Sequence, residues 1–525
     1  MKLSFQQKGN YQYAKIPGES YRKDGKVLKR NTVYLGRVID AEHNIFYNKD
    51  RGVFTFDPET GEYGKADESY LGLLTDDRRK SDRLILDFGD SFFVDSLLKQ
   101  MKYDQVIQSI DYKNADTLKT MIAYYILTNQ ANRYAQTWYE GSFASVLYPN
   151  ADLHSQRISD FLETLGKEAI RRKYFKAHID WVKENVCIDP AIILDSTGLP
   201  NSINVDMTQV SNHNGVINNE VRMVTAVQRD SGYPLMFRAV PGNIVDVATL
   251  STTVATLKEY DVDTDLALLD AGYFSAENAD NLYASHIDFV SRLPERNKTL
   301  YKEILDAGAA TLKEQKNLIK YNGRYVYIKR INCKVGNNQN DAYAYLCYDV
   351  GAGNDEVHEA LKRARKKKTT DSSMHEVFRT SGYFILISSL PFQCSEILEV
   401  YYTRQSVEQY FDIGKGLARL IPLRVHSEAR ILGHLLLSQI AATVNLYIQK
   451  TMKEDFASRD QLFMALRNQK CIVYSNRILM NEGQSNANRF YDQFKIQCPL
   501  FFEKNGNKVK PNYRLVSDSN DVDKK

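Results

Sequence analysis

Ala191-Ile-Ile-Leu-Asp195-Ser-Thr197-Gly and, further on, Leu266-Ala-Leu-Leu-Asp270-Ala-Gly272 share one build: a short apolar run ending in a carboxylate. Runs this short and this apolar read as buried strands rather than helices. Between them lie Val221-Arg-Met-Val-Thr-Ala-Val, an Asp230-Ser-Gly turn, Tyr233-Pro-Leu-Met-Phe-Arg-Ala-Val, the turn Pro241-Gly-Asn243, and a helical stretch from Val245 to Tyr260. A further helix (Ala276 to Ser285) and strand (Ile287-Asp-Phe-Val-Ser-Arg) follow. A hairpin followed by alternating strand and helix argues for a mixed α/β sheet. Ligand sites in such sheets form at the carboxyl ends of strands. If the two apolar strands are neighbours, Asp195 and Asp270 meet at one edge.

A third carboxylate comes from Tyr401-Tyr-Thr-Arg404-Gln-Ser-Val-Glu408-Gln-Tyr-Phe-Asp-Ile-Gly-Lys415. At 100° per residue, Tyr401, Arg404, Glu408 and Lys415 fall within roughly 60° of arc on a single helix. That face would carry a phenol, a guanidinium, a carboxylate and an ammonium. Carboxylates hold hard cations, and the neighbouring cations hold phosphates. Asp195, Asp270 and Glu408 together could hold two ions, Mg²⁺ or Mn²⁺, which suits in-line displacement at phosphorus. Taken singly, each of these residues has an ordinary structural reading. An Asp after a strand is usually a turn or cap residue, and Glu408 could simply pair with Arg404 at i, i+4.

The rest of the composition leaves room for this chemistry. The chain has 525 residues, enough for about three to four domains, with 43% hydrophobic and 26% charged residues. Its net charge of only +4 means that any nucleic-acid surface must be local. The six cysteines are Cys187, Cys333, Cys347, Cys394, Cys471 and Cys498, and none forms a C-x-x-C pair. Neither a zinc site nor a disulfide scaffold is indicated, which favours a reducing, cytoplasmic setting. The N-terminus lacks a signal-peptide pattern, and the stretch Ile431 to Ile448, broken by His434, Ser438, Gln439 and Asn445, reads as a core helix with no membrane partner expected.

Six regions are expected along the chain. Residues 1–75 form a β-rich module with a basic hairpin around Asp24-Gly25. Residues 85–185 form a helical module that could read DNA ends, for instance as a helix-turn-helix, with cations Arg157, Lys167, Arg171, Arg172, Lys173 and Lys176. Residues 187–297 begin the α/β core. Residues 298–378 form an inserted β-rich subdomain ending in a basic helix, where Lys366, Lys367 and Lys368 are candidate DNA contacts. Residues 379–450 complete the core, and residues 451–525 form a C-terminal region with a polar, disordered tail.

The motifs resemble those of the DDE transposases of bacterial insertion sequences. The resemblance is to the subgroup with a Y-(2)-R-(3)-E-(6)-K signature, matched without a gap by Tyr401, Arg404, Glu408 and Lys415. Leu194-Asp195-Ser-Thr197-Gly, Pro241-Gly-Asn243 with Asp246, and Leu269-Asp270-Ala-Gly272-Tyr273 are similar to its other motifs, and the likeness runs from about residue 10 to 450. The resemblance implies an RNase H-like α/β core with a β-rich insertion, preceded by N-terminal β-hairpin and helical modules. It implies Asp195, Asp270 and Glu408 as catalytic metal ligands, and Tyr401, Arg404 and Lys415 as phosphate grips on double-stranded DNA. It further implies cleavage to a 3′-OH, strand transfer by that 3′-OH, and a homodimer in the synaptic complex. Some relatives stack a flipped base on a Trp of the insertion. Here the only Trp residues, Trp138 and Trp181, lie outside it, leaving Tyr321, Tyr325 and Tyr327 as aromatic candidates.

Two other readings share these residues: an RNase H-like DNA nuclease without strand transfer, and a non-catalytic transposon-derived DNA-binding protein. A phosphohydrolase with Asp195 as nucleophile is disfavoured, because Thr197 stands where a second Asp is usual.

Overall fold

The computed structural model describes residues 2–8, 11–23, 26–48, 51–66, 84–186, 189–213, 216–366, 377–452 and 458–513. It divides into two compact units, one of residues 1–85 with 472–479 and one of residues 86–471 with 480–525. In the smaller unit, six strands pair in the order Ser4–Lys8, Tyr11–Ile16, Val33–Asp40, Ile45–Asn48, Gly52–Phe56, Tyr63–Lys65. One face buries Ala14, Leu35, Phe46, Phe54 and Phe56. A separate hairpin pairs Glu19–Lys23 with Lys26–Arg30.

The larger unit is organised by a ten-stranded sheet. Its strands are β1 (Ala191–Pro200), β2 (Gln209–His213), β3 (Val216–Gln228), β4 (Pro234–Pro241), β5 (Leu266–Leu269), β6 (Asp288–Arg292), β7 (Leu318–Tyr321), β8 (Arg324–Val335), β9 (Asn340–Asp349) and β10 (Tyr383–Ser388). Its first half runs β4-β3-β1-β5-β6, with β3 antiparallel to both neighbours and β1, β5 and β6 mutually parallel. This is the RNase H-like arrangement. Residues 191–194 and 266–269 are buried throughout, as parallel strands covered on both faces must be. β2 lies beside the start of β3.

The strands of the region read as an insertion do not form a sheet of their own. β10 pairs antiparallel with β6, β9 with β10, β8 with β9 and β7 with β8. They prolong the core sheet because β10, which follows them in sequence, is hydrogen-bonded on both sides. The basic helix after β9 ends at Lys366; Lys367 and Lys368 lie outside the described residues, as do Cys187 and the tail from 514.

Helices cover the sheet. Residues 397–416 form α1 (Ile397–Tyr402) and α2 (Gln405–Gly416), and α3 (Glu428–Thr451) runs through the core. α3 is long and apolar enough to cross a membrane by composition, yet 89% of its apolar window is buried inside the fold. It packs very closely on the helix Ser155–Leu165. A Cβ on Gly433 would stand 1.9 Å from the Leu162 carbonyl oxygen, so only glycine permits the approach. The helical module contains Gly89–Gln100, Tyr103–Gln108, Ala115–Leu127, Ala135–Gly141, Ser155–Leu165 and Glu168–Asn185. Most of the cations that suggested a DNA face there are paired. Arg172 bonds Glu168 and Glu259, Lys176 bonds Asp261, Lys173 lies 3.7 Å from Asp111, and Arg157 lies 3.6 Å from Asp160. Their partners Glu259, Asp261 and Asp111 are distant in sequence.

Candidate active site

The register of the sheet fixes the first two carboxylates. Leu194 on β1 pairs with Leu269 on β5, so Asp195 and Asp270 are the next residues of two adjacent parallel strands. β1 does not end at Asp195, as its apolar run suggested. It continues to Pro200 because the long strand β3 keeps pairing with it, from Gln228 opposite Ile192 to Glu220 opposite Pro200. Asp195 thus marks where the parallel ladder stops, not where the strand stops. Asp270 does end its strand, and it caps the short turn Ala271–Tyr273.

The third carboxylate arrives on α2. The single helix read over Tyr401–Lys415 is two helices with a tight joint at Thr403 and Arg404. There the backbone bonds span three residues: Arg404 N–H to Tyr401 O (3.2 Å), Ser406 to Thr403 (3.1 Å) and Val407 to Arg404 (3.0 Å). Arg404 stands at this joint with its side chain turned onto the sheet edge. One guanidinium then meets all three acids. Its Nη1 donates to Asp195 Oδ2 at 2.8 Å. Its Nη2 lies 3.2 Å from Glu408 Oε1 and 3.5 Å from Asp270 Oδ1. The Arg404 and Asp195 side chains are 17% and 14% exposed, Asp270 and Glu408 40% and 55%, so the cluster opens to solvent on one side.

Three acids around one guanidinium leave the cluster short of cation. Burial pushes the Asp195 carboxyl up to about 7; Arg404 pulls it down, whereas Asp270 pushes it further up. For Arg404, burial opposes the charge, but Asp270 and Asp195 more than offset it and hold the guanidinium above its usual range. Among the described residues no three His, Cys, Asp or Glu side chains form a ready metal cage. In its place the acids are gathered around Arg404. Hard oxygen donors with uncompensated charge fit a divalent cation such as Mg²⁺ or Mn²⁺, and Asp195, Asp270 and Glu408 are the residues that would hold it.

A pH dependence follows. The unfolded reference for an Asp is 3.8 and the folded value of Asp195 is about 7. Between these values the folded protein keeps a proton that the unfolded chain has released. This group's contribution to stability is therefore complete below pH 3.8 and is lost as pH rises through about 7. The Tm of the metal-free protein should fall from mildly acidic to alkaline pH more steeply in the wild type than in Asp195→Asn. Parallel Tm curves would contradict it.

A partly buried network that the sequence motifs only hinted at lies beside both Asp195 and Asp270. Asp246, just after β4, accepts from Ser196 Oγ (2.5 Å) and from Arg222 Nη1 (2.9 Å) through the same oxygen. Its other oxygen crowds Gly272, where a Cβ would stand 2.6 Å away. Asp246 thus touches the residue after Asp195 and the second residue after Asp270. The Pro241-Gly-Asn243…Asp246 spacing was its signal.

The remaining site residues are spread out. Tyr401 is buried beside Arg404, whose Cζ lies 5.8 Å from the ring centroid. Burial pushes its phenol up to about 12. Lys415 is half-buried near the end of α2 and makes no ion pair among the described residues. Of the insertion tyrosines, Tyr321 stacks on Tyr402 (5.5 Å, 17°), next to the signature helices. Tyr325 is 53% exposed, and Tyr327 leans on Tyr348.

Residues 188–444 match the family described as transposase DDE domain. The chain carries a transposase DDE domain. Its boundaries enclose Asp195, Asp270, Glu408 and the strands β7–β9 between them. Among solved structures, the chain is similar to a piggyBac transposase in a synaptic complex with hairpin DNA. The identity is 11% and the TM-score 0.38, with 68% of this chain and 70% of that chain covered. None of the curated proteins matches it.

Proposed function

We propose that this DDE-domain protein is a DNA transposase that cleaves at the ends of its element and joins them to target DNA. The observation that carries the reading is the convergence of Asp195, Asp270 and Glu408, from three separate elements, on one guanidinium at the sheet edge. Asp195, Asp270 and Glu408 would hold the divalent metal, two Mg²⁺ or Mn²⁺ ions. When bound, the metal activates the attacking oxygen and neutralises the charge that builds at phosphorus. Arg404 serves as the internal counterion of the cluster. Its planar fork also suits a phosphate, which guanidinium binds in a bidentate geometry. Lys415, on the same helix, adds a point charge for the backbone. Water cleaves the phosphodiester at the element end and leaves a 3′-OH, which then attacks the target strand. Two chains hold the two ends, and the work takes place in the cytoplasm, on the nucleoid.

The test uses the full chain, a duplex bearing the element's terminal repeats, a supercoiled plasmid and Mg²⁺, with wild type beside Asp195→Asn. The expected result is cleavage at the repeat boundary and joining to the plasmid, both lost in the variant. Cleavage indifferent to the repeats, with no joining, would make the protein a nuclease on the same fold. Binding without cleavage would make it a DNA-binding relic.

A further inference from the structure

Arg419 is buried, at 8% exposure, yet it faces no carboxylate among the described residues. Its guanidinium lies over Tyr125 (4.1 Å to the ring centroid) and Tyr124 (4.9 Å). Nη2 donates to Asn132 Oδ1 at 2.8 Å, and Nη1 is buried with no hydrogen-bond partner. An arginine cannot give up its proton, and a buried charge without a partner is costly. One amide oxygen and two ring faces meet the charge, and Nη1 is left without an acceptor.

The surroundings have the right form for an anion. Arg419 lines a cavity of ≈ 450 Å³ between the loop 129–133 and the loop 419–426, which joins α2 to α3. Arg133, Arg424 and His426 also line it, and no Asp or Glu does. A second recess of ≈ 220 Å³ shares Arg133, Arg424 and His426, so the basic lining is continuous. Arg133 and Arg424 are exposed and form no ion pair among the described residues. Arg419 and Arg424 also hold left-handed backbone, with φ of 60° and 44°. Such strain in a non-glycine residue persists only where the surroundings enforce it, and it concentrates at binding sites. The cavity adjoins the signature helix: Asn129 Nδ2 donates to the Gly416 carbonyl at 2.7 Å, one residue beyond Lys415.

We infer that this cavity is a second phosphate-binding site, taking the backbone of bound DNA beyond the end of α2. The assignment rests on the transposase reading for its ligand. The forks of Arg133 and Arg424 reach the backbone at the rim, and Arg419 supplies the fixed charge at the floor. The volume exceeds that of a single phosphate and suits a run of phosphodiesters.

The test is the salt dependence of duplex binding by the full chain without Mg²⁺, wild type beside the double variant Arg133→Ala/Arg424→Ala. Both residues are exposed, so the variant should fold. Each lost phosphate contact flattens the log–log slope by about 0.9, so the double variant should lose about 1.8. An unchanged slope in the variant beside a steep wild-type slope would overturn the cavity assignment alone. No salt-dependent duplex binding by the wild type would overturn the assignment and the transposase reading together. Inorganic phosphate should raise the Tm of the wild type and not that of Arg419→Gln. A phosphate response in the wild type, without any loss of slope in the double variant, would show a free-anion site and overturn the DNA role.

Discussion

Asp270→Asn and Glu408→Gln are each expected to reduce end cleavage by at least about 10³-fold while leaving the Tm of the metal-free protein nearly unchanged. The size of the effect follows from the role. A metal at the reacting phosphate contributes several kcal/mol to the transition state, and each 1.36 kcal/mol is a decade in rate. The small effect on Tm follows from the geometry. Both side chains are substantially exposed, and their contacts with Arg404 are longer than that of Asp195. Exposed pairs contribute at most about 1 kcal/mol, and removing one acid also relieves repulsion among the others. Single-turnover cleavage and thermal melting of the same preparations check both halves. A large loss of stability with cleavage retained would make Glu408 a structural residue.

The second large effect concerns Arg404. Its guanidinium pairs with all three acids, and both it and Asp195 are mostly buried. Breaking a buried pair by removing one partner costs about 3–5 kcal/mol. The loss in Arg404→Ala should be smaller, about 2 kcal/mol, because Asp195 can take up a proton once its partner is gone. The destabilisation should therefore be most marked at alkaline pH, where that proton is hardest to keep. Mg²⁺ should restore much of the lost Tm, since a divalent cation would replace the guanidinium as counterion. The variant should bind Mg²⁺ at least as tightly as the wild type and still cleave poorly, having lost its phosphate fork. A Tm fall that Mg²⁺ does not touch would separate Arg404 from the metal cluster.

The parts of the site that could be read from sequence were those with a local signature. Asp195 and Asp270 follow apolar runs, and a run of buried Ile and Leu needs no knowledge of its partners to be seen as a strand. The spacing of Tyr401, Arg404, Glu408 and Lys415 put Glu408 on a helix, and a helix carries it. The break at Thr403–Arg404 was missed because nothing in the residue types forbids a continuous helix; the backbone there stays helical and only tightens. β7–β9 read as a separate subdomain because their attachment to the core depends on β10, a partner later in the chain. The cations of Ser155–Lys183 looked free because Glu259 and Asp261 meet them only after folding. Arg419 was invisible for the converse reason. An arginine in a loop is normally solvated, and only the fold shows that Tyr124, Tyr125 and Asn132 surround it, with no acid paired to it among the described residues.

The measurement that bears most directly on the central claim is iron-directed cleavage of the polypeptide. Fe²⁺ takes up Mg²⁺ sites and, with ascorbate and peroxide, releases radicals that cut the backbone close to the bound ion. Cuts near residues 195, 270 and 408, suppressed by excess Mg²⁺ and absent from Asp195→Asn, are the expected result. Cuts elsewhere, or the same cuts in the variant, would contradict the assignment of these three acids to the metal.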